Sequence, residues 1–197
     1  RGAGGGGAGG RGRGGQEGPK HEGAGVRQEG LARERTGADH DARGRAIGIA
    51  RGEPSARFDP MRAGVVLERE EPAYRQVPIW VRVQDEGRWA DASFAAVLVS
   101  DIRLLCRFAT GRLSSLWWSG VVGLNVDLAS EHIVLDYGDG QPVGLSGDQV
   151  GPVSVAAIAS IYGAKALVTH SALAPLRTMG FGPECKGTCP LTTVAQQ

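Results

Sequence analysis

The 197-residue sequence predicts a mainly β fold, a small β-barrel of about seven strands closed by a C-terminal α-helix, with disordered tails at both ends. Three observations predict this class. Short apolar runs of strand type recur between residues 64 and 145, and a helical pattern replaces them after Pro152. Glycine is concentrated at the N-terminus, since residues 1–60 hold 18 of the 32 glycines.

The clearest element is a tight β-hairpin over residues 97–105. Two apolar, β-branched runs, 94–99 and 102–108, are separated by the polar pair Ser100 and Asp101. Side chains alternate along a strand. The pattern therefore places Val97 and Val99 on one face of the first strand, and Leu104 and Cys106 on one face of the second.

Further strands are predicted on both sides of this hairpin. They are residues 64–68, 77–84, 112–118, 121–128 and 131–137, with a short last strand at 143–145. The helix begins at Pro152 and stops at Gly163, because proline suits a first helical turn and glycine a C-terminal end. A second short helical piece is predicted at 164–170. The main helix is expected to plug the open end of the barrel.

The residues from Leu98 to Leu105, Leu-Val-Ser-Asp-Ile-Arg-Leu-Leu, resemble the bacterial PH-like and GRAM-like domains. In those domains a strand ends in Val-Thr-(Asn/Asp), turns and resumes at Arg-Leu. The segments 115–118 and 121–124 are similar to their next strands. The resemblance covers about residues 62–176 and extends to proteins of high-GC Gram-positive bacteria without an assigned activity. It implies a PH-like β-barrel closed by the helix from Pro152. Ser100 replaces the commoner Thr, and Ile102 stands where a polar residue is usual.

This organisation divides the chain into a Gly/Arg-rich disordered tail (1–60), a PH-like domain (61–176) and a disordered tail (177–197). The first tail has few large apolar side chains, so it cannot offset its ordering entropy. The Arg-Gly texture of residues 11–15 is typical of RNA-binding tails, which makes RNA association the alternative function. Phe58 is its one aromatic residue, and this favours a plain flexible tail. In a third interpretation, translation starts at Met61, where the composition changes.

Charge and cysteine usage exclude several classes. Residues 1–60 carry three more basic than acidic side chains, and the rest carries two more acidic than basic. Neither balance predicts a nucleic-acid or anionic-membrane surface. Three sparse cysteines, Cys106, Cys185 and Cys189, fit a reducing cytoplasm. No apolar run reaches the roughly 18 residues of a membrane span.

The candidate binding residues are Trp89, Trp117 and Trp118. Trp117 and Trp118 are adjacent on a predicted strand and should point to opposite faces, so one is expected in the core. The other, with Trp89 and Trp80 as rivals, is a candidate aromatic anchor for a protein or peptide partner. The alternative is that a loop or tail covers it.

Other candidate chemistry is interpreted as surface. The acidic segment 68–72 is predicted to be the first hairpin loop, which disfavours phosphoinositide binding. Asp127, Glu131, His132 and Asp136 are interpreted as solvated rather than metal-binding, and His170 beside Ser171 as a helix-end residue. We expect a cytoplasmic binding or structural module that is not an enzyme and holds no cofactor or metal. A polar pocket joining His132 or His170 to carboxylates would instead favour a hydrolase.

Overall fold

The computed structural model describes residues 22–178, with side chains described from residue 35 onward. Eight strands form one antiparallel sheet. They are β1 (Ala73–Asp85), β2 (Arg88–Trp89), β3 (Ser93–Ser100), β4 (Arg103–Phe108), β5 (Leu113–Trp117), β6 (Gly123–Asp127), β7 (His132–Asp136) and β8 (Val143–Ser146). The helices are α1 (Glu22–Ala50), α2 (Val150–Tyr162), α3 (Ala166–Thr169) and α4 (Ala174–Thr178).

The sheet is open, and the closed barrel expected from the sequence is wrong in this respect. The strand order is β5-β4-β3-β1-β8-β7-β6, with β2 paired to the end of β1. The 13-residue β1 pairs with β3 on one side and β8 on the other, so it joins two meanders. The edge strands β5 and β6 do not pair. Residues 118–122 connect β5 to β6. Within this connection the Trp118 side chain is buried in the main core together with side chains of α2.

The predicted hairpin at residues 97–105 forms, but its turn consists of Asp101 and Ile102, one residue later than the predicted pair Ser100 and Asp101. β3 ends at Ser100 and β4 begins at Arg103. Val97 lies opposite Cys106, and Val99 lies opposite Leu104. These four side chains are at most 2% exposed and belong to the main core between the sheet and the helices.

The remaining strand predictions coincide with β1 and with β5–β8, except for 64–68. That segment follows a short 3-10 helix, Pro60–Ala63, and makes no strand. Val65 and Leu67 are half-buried against Leu98 and Leu105, whereas Val66 is exposed. The alternation of the sequence therefore reflects a segment lying across an apolar surface without strand pairing.

The helix predicted from Pro152 is confirmed. α2 has Pro152 in its first turn, and Gly163 follows its last residue with a φ of 83°. Its residues from Val150 to Ile158 are all buried. α3 lies within the predicted short helix 164–170. Among residues 22–178, no helix combines the length and the apolar character that crossing a bilayer requires.

Part of the N-terminal segment expected to be disordered is the helix α1. Ala38 and Ala42 are buried, and Ala46 and Ile49 pack against the same core. Their spacing of four, four and three residues places them on one helix face. The expectation of disorder is therefore corrected for residues 22–50. Residues 1–21 and most of the expected C-terminal tail, 179–197, lie outside the described residues.

α1 approaches α2 closely because α2 carries a glycine at the contact. A Cβ at Gly151 would lie 2.5 Å from Asp39 Oδ1 and 3.4 Å from the Cβ of Ala42. The Asp39 carboxylate thus sits beside the first turn of α2, where the helix dipole favours negative charge. Burial raises the pKa of Asp39, although the Arg35 guanidinium opposes the rise.

We expect Gly151→Ala to lower the free energy of unfolding, because the added methyl group displaces Asp39. The matched control is Gly44→Ala in α1, where a Cβ meets nothing within 4 Å. That substitution should raise the free energy by about 0.5–1 kcal/mol through helix propensity. Urea unfolding measures both. If Gly151→Ala raises the free energy of unfolding as much as Gly44→Ala does, the close contact with Asp39 is wrong. The same holds if Gly151→Ala lowers it and adding Asp39→Ala does not restore the loss.

We expect the Cys106 thiol to resist alkylation in the folded protein. It is fully buried, and burial raises its pKa to about 12, so the reactive thiolate is scarce at pH 8. Iodoacetamide labelling followed by peptide mass spectrometry should find Cys106 unmodified in buffer and modified in guanidinium chloride. Rapid labelling of Cys106 in buffer would show that the hairpin opens readily.

Candidate functional site

Trp118 is the core member of the adjacent tryptophan pair. Its side chain is 4% exposed, and its indole Nε1 donates a hydrogen bond to the Ser100 carbonyl oxygen at 3.1 Å. The residue belongs to a short 3-10 helix, Trp118–Gly120, that follows β5. Because it lies inside the core, it offers no surface to a partner.

Trp117 is half-buried beside an ion pair. The Arg103 guanidinium lies 4.5 Å from its ring centroid. On its polar edge Arg103 makes two hydrogen bonds to Glu71, Nε to Oε1 at 3.0 Å and Nη2 to Oε2 at 2.8 Å. Its Nη1 donates to Ser115 Oγ at 3.2 Å. The Trp117 ring therefore covers one side of a buried polar network formed by Arg103, Glu71 and Ser115.

Ser100 connects this network to the hairpin turn. Its hydroxyl donates to Glu71 Oε1 at 2.6 Å and accepts from the Arg103 backbone N–H at 3.0 Å. Glu71 Oε2 also accepts from the Glu68 backbone N–H at 2.9 Å. Burial acts to raise the pKa of Glu71, but the hydrogen bonds from Arg103 and Ser100 outweigh it and lower that pKa.

We expect Glu71→Gln to cost about 3–5 kcal/mol of stability near neutral pH, because it leaves a buried guanidinium without its counter-ion. The contribution of Glu71 is complete above the unfolded carboxyl pKa of about 4.3. It is lost as pH falls through the lower folded pKa. The difference between wild type and variant should therefore shrink in acid.

Urea unfolding from pH 7 to pH 3 measures this difference. Glu70→Gln is the matched control, since Glu70 is the exposed neighbour. A difference that stays constant down to pH 3 would show that the Glu71 carboxylate is not the group that matters.

The outer face of the sheet, opposite the main core, is only partly covered. Ala73, Leu98 and Leu105 form a second small core there. Phe58, together with Val65 and Leu67 from the segment before β1, packs over it. The cover lies over the hairpin end of β3 and β4. The region around the middle of β1 is left open to solvent.

Two aromatic side chains occupy this open region. Trp80 on β1 lies directly opposite Phe94 on β3, and the rings meet edge to face with centroids 5.4 Å apart. Their exposed fractions are 48% and 47%. A groove of about 700 Å³ runs beside them, and the residues that line it include Pro78, Glu131 and Asp148.

Trp89 lies on the same outer face but is already stacked. The Arg82 guanidinium is 4.7 Å from its ring centroid, and His132 meets the ring edge on at 6.4 Å. Gly144 permits this packing, because a Cβ there would be 3.1 Å from both Trp89 and Arg82. Burial and the Arg82 charge lower the pKa of His132.

The structure thus separates the three predicted tryptophans and draws attention to a fourth. Trp80 was recognisable, since Val77, Ile79 and Val81 alternate with it and assign it to the other face of β1. Phe94 gave no such signal, because its place opposite Trp80 depends on the register between β1 and β3.

The other candidates have structural partners. Asp127 Oδ1 accepts from the Ala129 and Ser130 backbone N–H groups at 3.0 and 3.1 Å. His170 Nδ1 accepts from the Ala172 N–H at 3.3 Å, and its ring lies beside Tyr162. Among the side chains of residues 35–178, no cluster of three or more His, Cys, Asp or Glu residues is arranged to hold a metal. The Cys185/Cys189 pair and the Arg-Gly stretch at 11–15 lie outside the described residues.

No protein-family model and no curated protein matches the chain.

Proposed function

We propose that this chain is a cytoplasmic PH-like binding module that holds a protein or peptide ligand on the open part of its outer sheet face, and that it is not an enzyme. The observation that carries this proposal is the half-exposed pair Trp80 and Phe94. Large aromatic side chains are mostly buried in folded proteins, and they are enriched where a partner covers them.

Burying the exposed parts of Trp80 and Phe94 releases enough free energy for these side chains to anchor a ligand. Large aromatic side chains bury about 150–250 Å² each, so covering the exposed halves of both removes roughly 150–250 Å² from water. At about 25 cal/mol per Å² the transfer contributes at most about 4–6 kcal/mol. Association costs reduce this sum, yet a residue worth about 2 kcal/mol already counts as a hot spot.

The strands that carry Trp80 and Phe94 are rigid, which favours a binding surface that is already formed before the ligand arrives. Trp80 and Phe94 project from β1 and β3, two paired strands whose other faces carry the core residues Ile79 and Ala95. A site on paired strands holds its side chains more firmly than a loop does.

The PH-like assignment is supported by the strand topology, in which two antiparallel meanders share the long strand β1 and a helix follows them.

Charge argues against a phosphoinositide ligand at the first hairpin. The loop 68–72, predicted to fill this role, precedes β1, and its Glu71 is buried in the ion pair with Arg103. Asp85 at the end of β1, with Glu86 and Asp91 in the connection to β3, instead faces the single cation of this region, Arg88. This excess of carboxylates would repel a polyanionic headgroup.

We expect the double substitution Trp80→Ala, Phe94→Ala to abolish retention of the ligand. The full chain is immobilised and incubated with native lysate, and retained proteins are identified by mass spectrometry. The loss should be about 30-fold or more in affinity, corresponding to about 2 kcal/mol or more. The purified ligand is then measured against each variant by calorimetry.

Leu113→Ala is the matched control, because Leu113 on edge strand β5 is 48% exposed, the same fraction as Trp80. The control should retain the ligand as wild type does. Equal retention by the aromatic double variant, or loss with Leu113→Ala alone, would place the ligand elsewhere. Retention of RNA alone would favour the Arg/Gly-rich N-terminal segment as the functional part.

A further inference from the structure

The protein stacks arginine on its own aromatic rings in a repeated arrangement. Arg82 lies over Trp89 at 4.7 Å, Arg103 over Trp117 at 4.5 Å, and Arg45 over Tyr74 at 3.8 Å. A guanidinium is planar and weakly hydrated, so it stacks on a ring while its edge still donates hydrogen bonds. These three arginine side chains of the protein are therefore held against the face of an aromatic ring.

The Arg103 site shows the complete form of this arrangement. The guanidinium has the Trp117 ring on one side and the Glu71 carboxylate on its edge, with N–O distances of 2.8 and 3.0 Å. Aromatic face and carboxylate together recognise both the shape and the charge of the cation.

The groove beside Trp80 has the same two components, an aromatic face and carboxylates, but no described guanidinium stacked on the ring. Within residues 35–178, whose side chains are described, no guanidinium stacks on Trp80, although its ring is 48% exposed. Gly147 lies next to the ring, since a Cβ there would be 3.9 Å from Trp80 Cδ1. The groove also contains the carboxylates of Asp148 and Glu131.

The charge in the groove favours a cation. Arg35 is the one basic residue among the described side chains that line it, and Arg35 Nη1 pairs with Glu131 Oε1 at 3.0 Å. Two carboxylates and one guanidinium leave a net charge of about −1, and Asp148 supplies the uncompensated carboxylate. An incoming cation would thus meet both an open aromatic face and an acceptor.

We infer that this groove binds an arginine side chain presented by a segment of a partner protein. The inference rests on the proposed binding function and names the chemistry of the ligand. The guanidinium stacks against Trp80 and donates to Asp148, while apolar residues beside the arginine cover Phe94 and Pro78. Lysine fits less well, because its compact, strongly hydrated ammonium cannot stack as a plane.

The test uses three synthetic peptides that differ at one position. Each has an arginine, a lysine or a citrulline between the same proline and glycine neighbours. Each is titrated into the full-length ¹⁵N-labelled protein, and the Trp80 indole N–H shift reports binding. The variant Trp80→Phe assigns that signal. We expect the arginine peptide to bind about two- to fivefold tighter than the lysine peptide, and the citrulline peptide to be weakest.

Asp148→Asn should weaken the arginine peptide about two- to fivefold and leave the citrulline peptide unchanged. Asp139→Asn, at the exposed turn after β7, is the matched control and should alter neither. Equal affinity for arginine and citrulline peptides, or no shift of the Trp80 signal with any peptide, would overturn the inference. Those outcomes leave the retention experiment with Trp80→Ala, Phe94→Ala as the independent test of the binding function.

The N-terminal segment of the chain provides the competing occupant, since it contains Arg11 and Arg13. The full-length variant Arg11→Gly, Arg13→Gly removes both. If the arginine peptide binds only to this variant, the groove is occupied by the chain's own segment and the partner assignment is wrong. Equal binding to variant and wild type supports a separate partner.

Discussion

The buried ion pair between Glu71 and Arg103 is the contact on which the outer face depends. It joins the segment before β1 to the first residue of β4, and through Ser100 it fixes the turn between β3 and β4. Removing either charge would leave the other buried without its counter-ion, which is far costlier than losing an exposed pair. The pair therefore holds the segment 58–72 against the sheet, where its apolar residues cover one end of the outer face.

This partial cover explains where the candidate site lies. Leu98 and Leu105 gain their burial from Phe58, Val65 and Leu67. No described segment covers Trp80 and Phe94 in the same way. The same sheet face thus has a closed half, fixed by an ion pair, and an open half with aromatic side chains. Because β3 runs through both halves, the contacts that fix the closed half also hold the strand that carries Phe94 in the open half.

The sequence was sufficient for contacts between near neighbours along the chain. The strand–turn–strand order of residues 94–108 and the core faces of its two strands follow from alternation, although the turn lies at Asp101 and Ile102, one residue beyond the predicted Ser100-Asp101 pair. Closure of the sheet did not follow, because the edge strands β5 and β6 are adjacent in sequence yet lie at opposite ends of the strand order. The partnership of Glu71 with Arg103, 32 residues apart, gave no local signal either. Phe94 became a site residue only through its register against Trp80.

α1 was missed because its buried face is made of small residues. Ala38, Ala42 and Ala46 show helical spacing, but alanine carries little hydrophobic contrast, and frequent glycine and arginine suggested a tail. The helix is stabilised mainly by packing on α2 through Gly151. Arg35 then reaches from α1 to Glu131 and to the Leu128 carbonyl oxygen, at 3.0 Å each. One wall of the candidate groove therefore depends on α1, so residues before 61 contribute to the groove.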